Sequence, residues 1–395
     1  MTTLTRTQVS YALETAGSVD VAVAALAAAV GGDDGPVDVV EVGAASGHAG
    51  GAQARVTLGL DDATIGADLV ALTGALIEAP FDLPQLSGLR LTAVLPGAAL
   101  AAAVPGPLHG IAGTRALADV PDGPMLGSII KPSVGLSVAE TAERARLLAA
   151  AGLDFLKDDE LLADQPHAPL ERRAEAVARV LEDVALETGR RPIFAFNVSG
   201  DDLDAVVAGA DRVAETGGRC VMVSLNQVGL AGVLALRRHT TLALHGHRNG
   251  WGLLARSRRW GMTFGAYQAL WRMAGVDHLH VNGFANKFWE PDASVAASMR
   301  ACVADLGGVA PALPVVSSGQ WGGQAVDQYA TVPTQDFMYM CGGGIQGHPD
   351  GPAAGVRAVR AAWDAAIAGV PLAAMAADVP ALAQSLERFG PQHVA

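Results

Sequence analysis

The spacing of apolar residues changes character about a third of the way along the chain. From about Gly127 onward, short apolar runs ending in polar or glycine residues alternate with stretches whose apolar positions recur every three to four residues. The first pattern reads as a buried parallel strand and the second as an amphipathic helix. Strands are expected to begin near Leu126, Asp154, Pro192, Val221, Leu242, His278, Val315 and Phe337. Helices are expected over 138–151, 170–188, 203–216, 230–239, 264–274, 293–306, a short 326–329, and 353–368. Eight such units in roughly 240 residues predict a (β/α)8 barrel, whereas a doubly wound open sheet more often has about five to seven strands.

The first 122 residues lack this rhythm. Segments 19–30 and 65–77 read as helices, and 37–42 and 55–60 as strands. A small α+β, ferredoxin-like domain is therefore expected over residues 1–122, ahead of a barrel over 123–395 whose end after Val370 reads as helical. The most apolar run, from Leu91 to Val104, is interrupted by Pro96 and is too short to span a bilayer.

Composition adds a pointer to chemistry. The chain has 395 residues, half of them hydrophobic, and only three are lysines, Lys131, Lys157 and Lys287, against 24 arginines. About twenty lysines would be usual at this length. Arginine replaces lysine on a surface but cannot act as a base, a nucleophile or a carbamate near neutral pH. All three lysines fall at or just beyond the C-terminal ends of expected strands, where barrel enzymes keep their active sites. The net charge of −13 argues against a nucleic-acid or anionic-membrane partner. Cys220, Cys302 and Cys341 have no metal-binding spacing and read as buried thiols of a reducing cytoplasm, and no secretory leader opens the sequence.

In Asp-Phe-Leu-Lys-Asp-Asp-Glu (154–160), Lys157 and Asp159 share a strand face and Glu160 follows at the turn. Three oxygen ligands would suit a hard cation such as Mg2+. A protonated lysine would repel that cation, while a lysine carbamate would supply the third oxygen. The other reading is a lysine neutralised by its neighbouring carboxylates. His245 and His247 end the fifth strand, and His278 and His280 lie in the sixth. Each pair falls on one face, which suits zinc, or a phosphate or substrate oxygen with Arg248 alongside. After strands seven and eight come Ser317-Ser318-Gly319 and Gly342-Gly343-Gly344, where barrels often hold phosphate on backbone N–H groups.

Taken together, these motifs resemble the RuBisCO large-subunit superfamily, and its RuBisCO-like (form IV) branch more than the carboxylases. The resemblance rests on Gly-Ser-Ile-Ile-Lys-Pro-Ser-Val-Gly-Leu-Ser (127–137), the 154–160 segment followed by Gln165-Pro166, His245-Gly-His247-Arg248, Asp277-His-Leu-His280, Ser318-Gly319 and Cys341-Gly-Gly-Gly-Ile-Gln-Gly-His-Pro349. It implies a carbamylated Lys157 binding Mg2+ with Asp159 and Glu160. Lys131 would act as acid/base at an enediolate, Lys287 would reach over the site, and His247 would contact substrate oxygens. Arg248, His280 and Ser318 would hold one phosphate end, and Gly342 and Gly343 the other, with His245 and Gly319 in the substrate-binding set. It also implies a phosphorylated sugar substrate and a homodimer or higher homo-oligomer.

Three positions depart from the carboxylase pattern: Ser133 replaces a second lysine, Gln320 a second glycine, and Asn286 the glycine before Lys287, with Phe-Trp-Glu-Pro following. CO2 fixation is therefore not expected. The favoured expectation is Mg2+-dependent decarboxylation of a 3-keto sugar-acid phosphate, of the kind met in apionate-type catabolism. The alternatives are an enolase or isomerase of a methylthio-pentose phosphate and a non-catalytic regulatory protein. The metal-dependent amidohydrolases also combine a carbamylated lysine with His-x-His, but there the histidines precede the lysine.

Overall fold

The computed structural model describes residues 4–390 apart from 33–36, 44–45, 49–50 and 67. The N-terminal sheet contains β1 (Thr7–Thr15), β2 (Val37–Val42), β3 (Ser46–His48), β4 (Gly51–Leu60) and β5 (Gly88–Leu95). Its order is β5-β1-β4-β2, antiparallel throughout, with β3 paired to β4. Helices Val19–Gly31 and Leu69–Ile77 cover one face, completing a ferredoxin-like βαββαβ arrangement. Strict alternation in β1 sends Val9, Tyr11 and Leu13 into the core against Val56, Leu58 and Leu60. That alternation was legible in the sequence, so β1 was detectable and was missed. The apolar run 91–104 divides at Pro96 into the end of β5 and a helix, Ala98–Ala103. The expected helix 65–77 is two pieces, Asp62–Ile65 and Leu69–Ile77, with Asp61 and Asp68 as separate N-caps.

The rest of the chain closes into an eight-stranded parallel barrel. Its strands are β6 (Met125–Ile129), β7 (Phe155–Lys157), β8 (Ile193–Asn197), β9 (Cys220–Ser224), β10 (Ala243–His247), β12 (His278–His280), β13 (Leu313–Val316) and β14 (Met338–Met340). Between them, β11 (Trp260–Met262) leaves the barrel and pairs in parallel with β5. Arg90 on β5 fastens this excursion by donating to the Trp260 and Met262 carbonyls at 3.3 and 2.8 Å. Three residues carry no strand signature of their own, and β11 exists because β5 offers it an edge.

Helix ends follow local rules. Ser137 and Glu140 form a capping box before Val138–Ala150. Leu170–Thr188 buries Leu170, Ala174, Val177, Leu181 and Val184 along one stripe and ends at Gly189 with φ 72°. Helix Leu225–His239 starts earlier than expected, with non-helical geometry at Gly229 inside it.

Inside the barrel, Met125, Phe155, Ile193, Ala195, Met222, Ala243, Val315 and Met340 pack with Ile111, Leu117 and Ala118 of helix Gly110–Ala118. Below them, Asp277 accepts the N–H groups of His109, Gly110 and Leu244 at 2.6–2.9 Å and pairs with buried Arg237 at 3.3 Å. Truncating one member leaves the other as an unpaired buried charge. Asp277→Ala is expected to lower stability by about 3–5 kcal/mol, measured as a drop in the urea midpoint.

Candidate functional site

A cavity of about 600 Å3 opens at the C-terminal ends of the barrel strands. Lys131, Lys157, Glu160, His247, Arg248, His280, Lys287, Ser318, Gly319, Gly342 and Gly343 all line it. Residues more than 200 positions apart in sequence thus share one space.

Lys157 ends β7 with its side chain inside the barrel, almost fully buried. Its Nζ donates to the Asp158 carbonyl at 2.9 Å and lies 3.4 Å from Glu160 Oε2 and 3.6 Å from Met222 Sδ. Burial pushes the amine's proton affinity down, partly opposed by the Glu160 and Asp159 carboxylates. The strand pleat separates the next two carboxylates. Asp158 points out of the barrel to Arg173 on Leu170–Thr188, with contacts of 3.1 and 3.2 Å between fully buried groups. Asp159 turns back inward, where Lys131 donates to its Oδ2 at 2.6 Å. Burial alone would raise the Asp159 carboxyl, but hydrogen bonds from Lys131 and Ser133 hold it below its ordinary value. Asn197 at the end of β8 donates to the Asp159 and Glu160 carbonyls, both at 3.2 Å, and so fixes the turn carrying them.

Lys131 lies two residues beyond β6, and its Nζ also donates to Ser133 at 2.6 Å. The residue standing in place of a second lysine is thus a hydrogen-bond partner of the first. His247 Nε2 approaches Glu160 Oε2 at 3.6 Å, while Nδ1 is 3.2 Å from Asn249 Oδ1. Burial, with Lys157 adding to it, pushes His247 down to about 4. His245 does not line the cavity; it is fully buried one layer lower, stacked at 5.1 Å on Phe155 and 2.8 Å from His280.

Arg248 is sandwiched by Trp251 and Phe264, 5.3 and 5.0 Å from their ring centres. Its Nη2 donates at 2.7 Å to Glu290, a buried carboxylate that also accepts from Asn282 at 2.6 Å and Ser294 at 2.9 Å. Its buried Nη1 has no partner among the described residues. Glu290 and Asn282 escaped the sequence reading. The only signal for Glu290 was a carboxylate three residues past Lys287 in an otherwise apolar Phe-Trp-Glu-Pro segment.

The loop after β12 carries Lys287 and is braced by the unusual residues. Asn286 donates to the Gly283 and Glu290 carbonyls at 2.9 and 2.8 Å and accepts from the Phe288 N–H at 3.0 Å. Gln320, buried, donates to the Phe284 carbonyl at 3.1 Å and ties this loop to the one after β13. Lys287 itself is exposed beside Phe288. Asn282, Ala285 and Ser318 have φ of 65°, 44° and 77°, a conformation non-glycine residues rarely hold without a surrounding framework. Three of the four such residues among those described therefore sit in these two loops.

A lysine–carboxylate cluster at the second strand of a barrel, faced by histidines, an arginine and a glycine loop, defines a class. Residues 110–389 match the family described as ribulose bisphosphate carboxylase large chain, catalytic domain, and the chain belongs to that family. It is 50% identical over 78% of its length to a 3-oxo-isoapionate-4-phosphate transcarboxylase/hydrolase of Xanthobacter autotrophicus, covering 74% of that protein. It is 44% identical over 82% of its length to a 3-oxo-isoapionate-4-phosphate decarboxylase of Rhizobium etli, covering 78% of it. The crystal structure of a rubisco-like protein from Burkholderia fungorum superposes with a TM-score of 0.93 at 42% identity, over 98% of this chain and all of that one. No helix among the described residues is long and apolar enough to cross a membrane.

The buried imidazoles give a pH prediction. Burial pushes His278 down to about 4, with Asp277 opposing and His109 adding, against about 6.5 in an unfolded chain. Between those values the unfolded chain binds a proton that the folded one refuses. This contribution is complete above about pH 6.5 and is lost as pH falls toward the folded value. His278→Gln should flatten the rise of stability between pH 5 and 6 by about 1.4 kcal/mol per pH unit, read from urea midpoints.

Proposed function

We propose that this chain is a Mg2+-dependent decarboxylase of a phosphorylated 3-oxo sugar acid, with 3-oxo-isoapionate 4-phosphate as the candidate substrate. The observation that carries this reading is that two relatives at 44% and 50% identity are named for reactions of that one compound. The cavity chemistry agrees with it.

A 3-oxo acid loses CO2 by breaking the bond between its carboxyl carbon and C2. The electron pair becomes a C2=C3 bond while the ketone oxygen takes the negative charge, and a proton must then reach the enediolate. Such a substrate needs a hold for its phosphate, positive charge near the ketone oxygen and a positioned proton donor. Lys131, held by Asp159 and Ser133, is the proton donor in this reading. Lys287 orients the carboxylate at the mouth, where Phe288 and Trp289 offer apolar surface that favours neutral CO2 over the charged group. Arg248 with Ser318, and Gly342 with Gly343, are the candidate phosphate ends.

The residues also fit a hard cation. Among the described residues no group of three His, Cys, Asp or Glu side chains can hold a metal, so Asp159 and Glu160 need one more oxygen. Lys157 provides it as a carbamate, and burial favours the neutral amine that reacts with CO2. When bound, Mg2+ would supply positive charge opposite the developing enediolate oxygen. A homodimer or larger homo-oligomer is part of this reading, since Val39, Val40 and Val42 on β2 are exposed.

A second reading keeps the substrate and changes the fate of its carboxyl group, because the 50% identical relative is named a transcarboxylase/hydrolase. Substrate carrying 13C in the carboxyl group separates the two. Label is expected to leave as CO2, whereas label retained in an acid product would assign the second reading. No turnover of this compound, with rapid tautomerisation of a diketo phosphate, would overturn both. Chelation should abolish turnover and Mg2+ with bicarbonate restore it. Lys157→Ala should cost about 10²–10³-fold or more in kcat, and Lys131→Met about 10²–10⁴-fold.

A further inference from the structure

From the cavity wall, three imidazoles form a continuous line to the underside of the barrel. His280 Nδ1 is 3.2 Å from Ser317 Oγ, and His280 Nε2 is 2.8 Å from His245 Nε2. His245 Nδ1 is 3.4 Å from His278 Nδ1, and His278 Nε2 is 2.7 Å from Thr114 Oγ1. Successive rings are edge-on, at 89° and 69°. None of the three is more than 5% exposed, and burial lowers the proton affinity of each, so they are neutral.

A neutral imidazole has one N–H and one lone pair, so fixing one end of such a line fixes all of it. The lower end is fixed by Thr114. Its Oγ1 lies 2.5 Å from the Gly110 carbonyl oxygen, which only accepts. The carbonyl has no hydrogen to give, so the hydroxyl's single hydrogen makes this bond. Thr114 therefore accepts from His278, whose proton is on Nε2. His278 Nδ1 is then a lone pair and takes the proton of His245 Nδ1. His245 Nε2 is in turn a lone pair and takes the proton of His280 Nε2. That leaves His280 Nδ1 as an acceptor, and the Ser317 hydroxyl donates to it.

We propose that Thr114, His278 and His245 are positioning residues that lock His280 in the Nε2–H tautomer, so that Ser317 meets the substrate as a hydrogen-bond acceptor. Ser317 lines the cavity, and the hydrogen of its neighbour Ser318 is likewise committed, to Asn282 Oδ1 at 2.7 Å. Ser317 therefore presents lone pairs, which suit a substrate hydroxyl and not an anion, and a phosphate held at Ser318 would meet its backbone N–H rather than its hydroxyl. His280 offers no free N–H and leaves the phosphate-binding set that the family resemblance implies. The kinetic consequence rests on the sugar-acid reading above; the tautomers do not.

The test is a two-bond 1H–15N correlation spectrum of the whole protein labelled at histidine, without substrate, assigned with His245→Gln and His280→Gln. The expected pattern alternates: proton on Nε2 in His278 and His280, and on Nδ1 in His245. Thr114→Val should scramble His245 and His280 between tautomers, and Thr114→Ser should restore them. With substrate, Thr114→Val and Ser317→Ala should each raise KM by about 2–10-fold, the worth of one hydrogen bond. A proton on His280 Nδ1 in the native protein, or tautomers unmoved by Thr114→Val, overturns the proposal. Should Thr114→Val fail to fold, the native spectrum alone decides. Because that spectrum needs no substrate, failure of the decarboxylase reading is seen separately, as absent turnover.

Discussion

The amine of Lys157 sits inside a barrel otherwise filled by Phe155, Met222 and Met340, and the whole site is arranged around that burial. An ammonium in such a place is costly unless opposite charge adjoins it. Glu160 and Asp159 supply that charge from the turn after the same strand, and Asn197 on the next strand holds the turn by its carbonyls. The third carboxylate, Asp158, is kept out of the cluster by the pleat and by Arg173. The turn after one strand thus delivers Glu160 to the cavity, Asp159 to Lys131 just behind it and Asp158 to the helix layer.

Around this cluster, charges are committed before any substrate arrives. Arg248 is paired with Glu290, Lys131 with Asp159, and the buried imidazoles are neutral. Lys287 alone of the three lysines has no carboxylate within ion-pair distance among the described residues, and it stands exposed at the mouth. Asn286 and Gln320, expected from the sequence to stand where carboxylases carry glycines, have side chains that fasten the two loops near Lys287. Loops so tied hold Asn282, Ala285 and Ser318 in left-handed backbone geometry that free loops would relax.

Much of the barrel was legible because it is built from local rules. Each observed barrel strand begins within two residues of its expected start, from Met125 for Leu126 to Leu313 for Val315. Helix Leu170–Thr188 was read to the residue, since its apolar stripe and Gly189 cap are properties of consecutive side chains. The elements that escaped are those made by a distant partner. Trp260–Met262 is a strand only beside β5, and Gly110–Ala118 is placed by the floor of the barrel it closes. At the site, eleven of the thirteen candidate side chains or glycines line the cavity; Asp159 acts from just behind Lys131, and His245 lies a layer lower.

What the amino-acid order determined by itself was the repeat of eight strand–helix units, the placement of three scarce lysines at strand ends, and the shared face of Lys157 and Asp159. These follow from periodicity and from lysine's chemistry, which need no knowledge of neighbours. Only the tertiary structure decided that Asp158 belongs to Arg173, that Glu290 neutralises Arg248, and that Thr114 stands at the foot of a line of histidines reaching Ser317. The physical reason is that pleat and helix pitch set which way a side chain points. Its partner comes from another strand or loop, and barrel closure alone sets that distance.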